Sequence, residues 1–242
     1  MNPSRPRFPA RRRAAGWVFN AVVITLTLLV LAAIIIPTST GCRTPAPRSR
    51  DSSNLRQIGQ ACLIYASDHR DQFPQTDTVA DFAAALARDG GLNDATVWVS
   101  FTEASHPANR SLSTVLTADR SGPTPEFLRA RLAFTVVARG LHANLPPTTP
   151  IAWTRGLQPD GTWSKDSPYG GDGGHIVFLG GNVAFHHNLA SSPLVRFDNP
   201  KLTTTDIHQA LPPGALIAET TAPLANPARD PVCRLARKRA EK

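Results

Sequence analysis

The chain has 242 residues and a formal charge of +8, a balance that raises nucleic acid or an anionic membrane surface as partners. The charge is confined to the ends: five arginines precede residue 14 and the last fourteen residues carry a net +4, leaving −1 for residues 14–228. A nucleic-acid-binding domain gathers its basic residues on one folded face, and a neutral body excludes that class. Cys42, Cys62 and Cys233 lie far apart without CxxC spacing, which excludes a metal knuckle and a disulfide framework.

Residues 1–13 form a basic arm, expected in the cytoplasm. From Ala14 to Ile36 there is no charged side chain. As a helix this stretch reaches ~34 Å against a hydrocarbon core of ~30 Å, so it reads as a transmembrane helix rather than a buried core helix. Its polar members, Asn20, Thr25 and Thr27, are of the kind that local hydrogen bonds satisfy. Arg11, Arg12 and Arg13 hold the N-terminus inside, and Trp17 and Phe19 suit the headgroup level. A cleaved signal peptide would have a shorter apolar core. Ser39-Thr40-Gly41-Cys42 raises a third possibility, lipidation at Cys42, although Ser39 stands where a lipobox has an aliphatic residue.

Residues 37–51, rich in Pro, Ser, Thr and Arg, read as a linker. The spacing of Leu55, Ile58, Cys62 and Tyr65 predicts an amphipathic helix over 53–66, closed by Phe73-Pro74. A second helix is expected over 78–88, with Asp77 and Asp81 at its start and Arg88 at its end. Strands are expected at 96–101, 132–138 and 151–154, and a hairpin joins 175–179 to 182–185 through a two-residue Gly180-Gly181 loop. Residues 191–242, rich in Pro, Thr and Ala, read as a disordered basic tail, which puts the domain at 52–190.

Asn54-Leu-Arg-Gln-Ile-Gly-Gln60, with Tyr65-Ala66, Asp68-His69 and Phe73-Pro74 behind it, resembles the segment after the membrane helix in type IV prepilin-like and type II secretion pseudopilin-like proteins. Gly173–Phe185 is similar to the hairpin that closes many proteins of this class. The resemblance implies a pilin-like α+β fold: an N-terminal transmembrane helix, then an amphipathic helix packed on a small antiparallel sheet. It implies a structural or assembly role, with other pilin-like subunits or secretion machinery as partners. The prepilin cleavage point would fall after Gly16. Ala21 then occupies the fifth mature position, where the family has a glutamate, and Gly180-Gly181-Asn182 replaces its usual Asp-Gly-His. The family's upstream histidine falls near Tyr169-Gly170.

No HExxH, Walker-type loop or GxSxG elbow is present, so no catalytic residues are expected and the chain does not read as an enzyme. His186 and His187 are adjacent on a strand and point to opposite faces, a poor arrangement for one metal. Asp166 and Asp172 lie in a glycine-rich loop before the hairpin, where major pseudopilins hold calcium; a weak calcium site is one reading and a solvated turn the other. The expected placement is a single-pass inner-membrane protein with its domain in the periplasm or outside the cell. A surface lipoprotein or binding module that kept this fold outside any filament is the alternative.

Overall fold

The computed structural model describes residues 20–27 and 47–219, in two compact units divided after Thr44. In the first unit, residues 20–27 are helical (α1). Thr25 and Thr27 each donate a hydroxyl proton to the carbonyl four residues back, at 2.9 and 2.8 Å, the local satisfaction expected of them. Among the described residues no helix is long and apolar enough to cross a membrane. The rest of the 14–36 stretch, the basic arm, Gly16 and Cys42 lie outside the described residues.

The second unit is α+β. Helix α2 (Pro47–Asp68) and helix α3 (Val79–Asp89) precede a five-stranded antiparallel sheet of β1 (Phe134–Arg139), β2 (Pro150–Thr154), β3 (Gly174–Phe178), β4 (Val183–His186) and β7 (Leu216–Ala218). The strand order is β4-β3-β2-β1-β7, and β5 (Leu194–Val195) pairs with β6 (Thr203–Thr204) in a separate ribbon.

Helix α2 forms because Leu55, Ile58, Cys62 and Ala66 recur at helical spacing, and all four are essentially fully buried. Arg56, Gln57 and Gln60 are exposed. The helix begins six residues earlier than the sequence suggests, inside the expected linker, and it ends where Arg70 and Asp71 both take positive φ. It packs on β3, β2 and β4, and α3 packs on β1. Gly59 permits the approach: a Cβ there would stand 3.0 Å from Val177 Cγ2.

Directly paired residues share a sheet face. Val136, Ala152, Val177 and Val183 therefore face the helices, whereas Thr135, Trp153, Ile176 and Ala184 face the other way. That second face is covered as well. The Trp163 indole donates to the Thr154 carbonyl at 3.0 Å, and a Cβ on Gly174 would collide with that ring. Two covered faces explain why β3 is buried at every position and lacks polar alternation.

Three expectations are corrected. Residues 96–101 are not a strand: the Asp94 carboxylate accepts from the Thr96 amide at 2.8 Å and starts a 3-10 turn, η1 (Ala95–Trp98), overriding the β-preference of Val97 and Trp98. The hairpin loop has three residues, not two. The Gly181 amide donates to the Phe178 carbonyl at 2.8 Å, and only Gly181 of the glycine pair has positive φ. Finally, 191–218 is folded. It supplies β5, β6, a 3-10 turn (Ile207–Ala210) and β7, which pairs antiparallel with β1 and closes one side of the main sheet. The domain therefore extends beyond the expected boundary at 190, and residues 220–242 lie outside the described residues.

Candidate functional site

A buried polar cluster joins the first turns of α2 to the loop before the hairpin. Asp51 is fully buried although it lies on the helix entry. Its Oδ1 accepts the Phe101 amide at 3.0 Å, and its Oδ2 accepts the Ser100 hydroxyl and the Tyr169 hydroxyl, the latter at 2.7 Å. Ser100 starts a second 3-10 turn, η2 (Phe101–Glu103), and is itself fully buried. The Thr102 hydroxyl ties the same turn to the Pro168 carbonyl at 2.9 Å. Asn54, one helical turn on, donates to the Val99 carbonyl at 3.4 Å.

Tyr169 extends the cluster to the sheet. Its hydroxyl lies 3.2 Å from His175 Nδ1. A phenol has one proton, and Asp51 takes it, so the His175 Nδ1–H donates to the Tyr169 oxygen. Protons are thus aligned from His175 through Tyr169 to Asp51. His175 and Phe185 meet edge to face at 4.9 Å, and the Arg48 guanidinium lies over the Phe185 ring at 4.3 Å. Burial raises the Asp51 carboxyl above its ordinary value, while its donors and Arg50 oppose the shift. Burial, then the Asp51 contact, raises the Tyr169 phenol. Burial, aided by Arg48 and His186, pulls His175 down to about 4.

This arrangement has a hydroxyl, a carboxylate and an imidazole, yet the Ser100 proton is committed to Asp51 and the serine has no solvent face. A nucleophile needs a base beside it and a substrate in front of it. What the cluster does supply is a fixed joint between the helix entry, η2 and β3.

A second network holds the opposite side of η2. Arg155 makes a two-pronged contact with Glu103, at 2.8 and 2.5 Å, and Arg131 reaches Glu103 at 2.8 Å and Asp166 at 2.7 Å. It borders a cavity of about 350 Å³ lined in part by Arg131, Arg155, Gln158 and Asp166.

The expected calcium ligands are engaged differently. Asp166 is paired with Arg131, which holds its carboxyl below the ordinary range, and Asp172 lies 3.9 Å from Arg48. Among the described residues no group of three or more His, Cys, Asp or Glu side chains is placed to hold a metal ion. His186 is buried and His187 exposed, as strand alternation requires. Cys62 is a buried free thiol whose pKa burial pushes up.

Asp51, Ser100 and Tyr169 escaped the sequence reading. Asp51 sits in a Pro/Ser/Arg-rich stretch that resembles a linker, and its partners are 49 to 118 residues away. The one available signal was Tyr169, near the place of the family's upstream histidine.

No protein-family profile, curated protein or solved structure matches the chain.

Proposed function

We propose that the chain is a membrane-anchored, pilin-like or pseudopilin-like structural or assembly protein, with residues 14–36 as its anchor and the α+β unit outside the cytoplasm. The reading is carried by one observation: the first helix of the unit, α2, lies across β2, β3 and β4 of a five-stranded antiparallel sheet. It follows an uncharged stretch of spanning length in the sequence. The buried Asp51 joint supports it further. A protein that transmits position or load from a membrane helix to a head needs the helix entry fixed, and three donors on one buried carboxylate provide that.

The role is structural rather than catalytic in this reading, because the Asp51 cluster spends its protons internally. Partners would be other pilin-like subunits or the secretion machinery. The N-terminal chemistry selects among the variants of the idea. Mass spectrometry of the mature protein from its native membrane is expected to find either the intact chain or cleavage after Gly16. Lipid on Cys42 would instead make it a surface lipoprotein, and release by cleavage elsewhere before residue 47 would remove the anchor and contradict the proposal.

A further inference from the structure

β7 stands at the end of the strand order, and among the described residues no strand pairs with its outer side. The register fixes which groups it presents there. The Arg155 amide donates to the Ala133 carbonyl at 2.8 Å, so Ala133, Thr135 and Val137 bond towards β2, while Phe134 and Val136 bond towards β7. Val136 is opposite Ala218, so the N–H and C=O of Ile217, one residue away, point outward from the sheet. Neither has a backbone partner among the described residues.

Beside this edge lies a recess of about 590 Å³. Val79 of α3, Phe127 and Leu128 of the short helix α4 (Pro125–Arg129), and Leu132 give it apolar walls, and Leu128 is 55 % exposed. Ile217 and Ala218 alternate between the two faces of the sheet, yet both line it, so the recess reaches the edge of the strand. Its charges do not balance. Asp77 is answered by Arg139 at 2.7 Å and Arg129 by Glu126 at 3.7 Å, whereas Asp81 and Glu219 have no cationic partner among the described residues.

We propose that β7 and this recess receive an extended segment of a partner protein, which adds to the sheet as a sixth strand. It seats an apolar side chain between Val79, Phe127 and Leu128 and carries basic residues for Asp81 and Glu219. In this mode the main-chain bonds to Ile217 supply affinity and the recess supplies specificity. Other occupants fit less well. A second copy would bring further carboxylates instead of answering these. The chain's own continuation has Pro223, Pro227 and Pro231, each without the N–H that an edge partner must offer. The inference stands without membrane anchoring or filament assembly.

The test uses the full-length protein purified in detergent and the fluorescein-labelled peptide Lys-Val-Thr-Leu-Thr-Val-Lys, followed by anisotropy against detergent alone. Two N-methylated forms are compared, one methylated at both threonines and one at both valines. Successive N–H groups of a strand face opposite sides, so only one of the two sets blocks pairing with β7. Saturable binding of the parent peptide is expected, and the methylated forms should differ at least about tenfold, the factor one hydrogen bond makes. Replacing both lysines by glutamate should weaken binding. Ile217→Pro should lower affinity at least about tenfold and leave β7 paired, because the N–H it removes points away from β1. Equal affinity of the two methylated forms would overturn the proposal, as would the absence of saturable binding. Binding that appears only once residues 220–242 are removed would assign the edge to the chain's own end, and binding that competes with self-association would assign it to a second copy; either overturns the proposal. If Ile217→Pro fails to fold, the contrast between the methylated peptides on the unmodified protein still decides.

Discussion

The Tyr169 hydroxyl donates to the Asp51 carboxylate at 2.7 Å across 118 residues of sequence. This contact fastens the loop before the hairpin to the first turns of α2, and through His175 it fastens both to β3. The joint brings three chain segments together at a point where each contributes a group that could not be buried alone.

Removing one member should expose that dependence. Tyr169→Phe leaves Asp51 with two donors and the His175 Nδ1–H with no acceptor. A loss of about 1–3 kcal/mol is expected. Asp51→Ala deprives Ser100 and the Phe101 amide as well and should cost more. Urea unfolding of the unit starting at residue 45 measures both. Losses within about 0.5 kcal/mol of zero would mean that the cluster is not a joint.

The same cluster sets a pH dependence. The His175 pKa falls from 6.5 to about 4 on folding, so its contribution is present in full above 6.5 and is lost as pH falls through 4. Its size is about 2 kcal/mol after allowing for partial hydration of the ring. Asp51 works in the opposite sense: its raised carboxyl contributes below the unfolded value of 3.8 and loses that share as pH rises through the folded value. The stability difference between the parent and His175→Phe should therefore shrink between pH 6.5 and 4. A difference that stays flat across this window would remove the assigned role.

The helix face gives a third expectation. Ile58→Asp places an unpaired carboxylate in the core and should cost several kcal/mol, whereas Gln60→Asp on the exposed side should change stability by about 0.5 kcal/mol. Gly59→Val should resemble the former, since the branched side chain is driven into Val177. Thermal melting of the three variants checks the ranking.

The folded segment 191–218 makes a fourth. Ending the chain after residue 190 removes β7 and uncovers β1, so the unit should unfold or aggregate. Ending it after Glu219 keeps every described element and should leave the melting temperature unchanged. Equal behaviour of the two truncations would return 191–218 to the status of a tail.

Because Asp166 is held by Arg131 and Asp172 lies by Arg48, calcium at millimolar concentration is expected to leave the melting temperature where it is. A saturable upward shift, removed by Asp166→Asn with Asp172→Asn, would reinstate the loop as a calcium site.

What was legible in the sequence follows the range of the interactions. Leu55, Ile58 and Cys62 announce their face because the 3.6-residue period is local, and Gly180-Gly181 announces the turn for the same reason. The extra turn residue was not visible, because the Leu179 amide is drawn to the Thr149 carbonyl at 2.8 Å, thirty residues earlier. β7 is three residues long, with Leu216 exposed and Ile217 half-buried, so only its pairing with β1 makes it a strand. The Asp51 cluster is of this second kind throughout. A carboxylate in a Pro/Ser/Arg stretch reads as solvated until Ser100 and Tyr169 arrive from elsewhere in the fold.

In the proposed topology, residues 14–36 anchor the chain while the α+β unit lies outside the cytoplasm. Carbonate washing of native membranes, with protease digestion of intact spheroplasts, measures both halves at once. The protein should remain with the carbonate-washed membranes, and external protease should reach the unit beyond residue 45 without lysis. Release of the protein by carbonate, or protection of the unit until the cytoplasm is opened, would contradict the account.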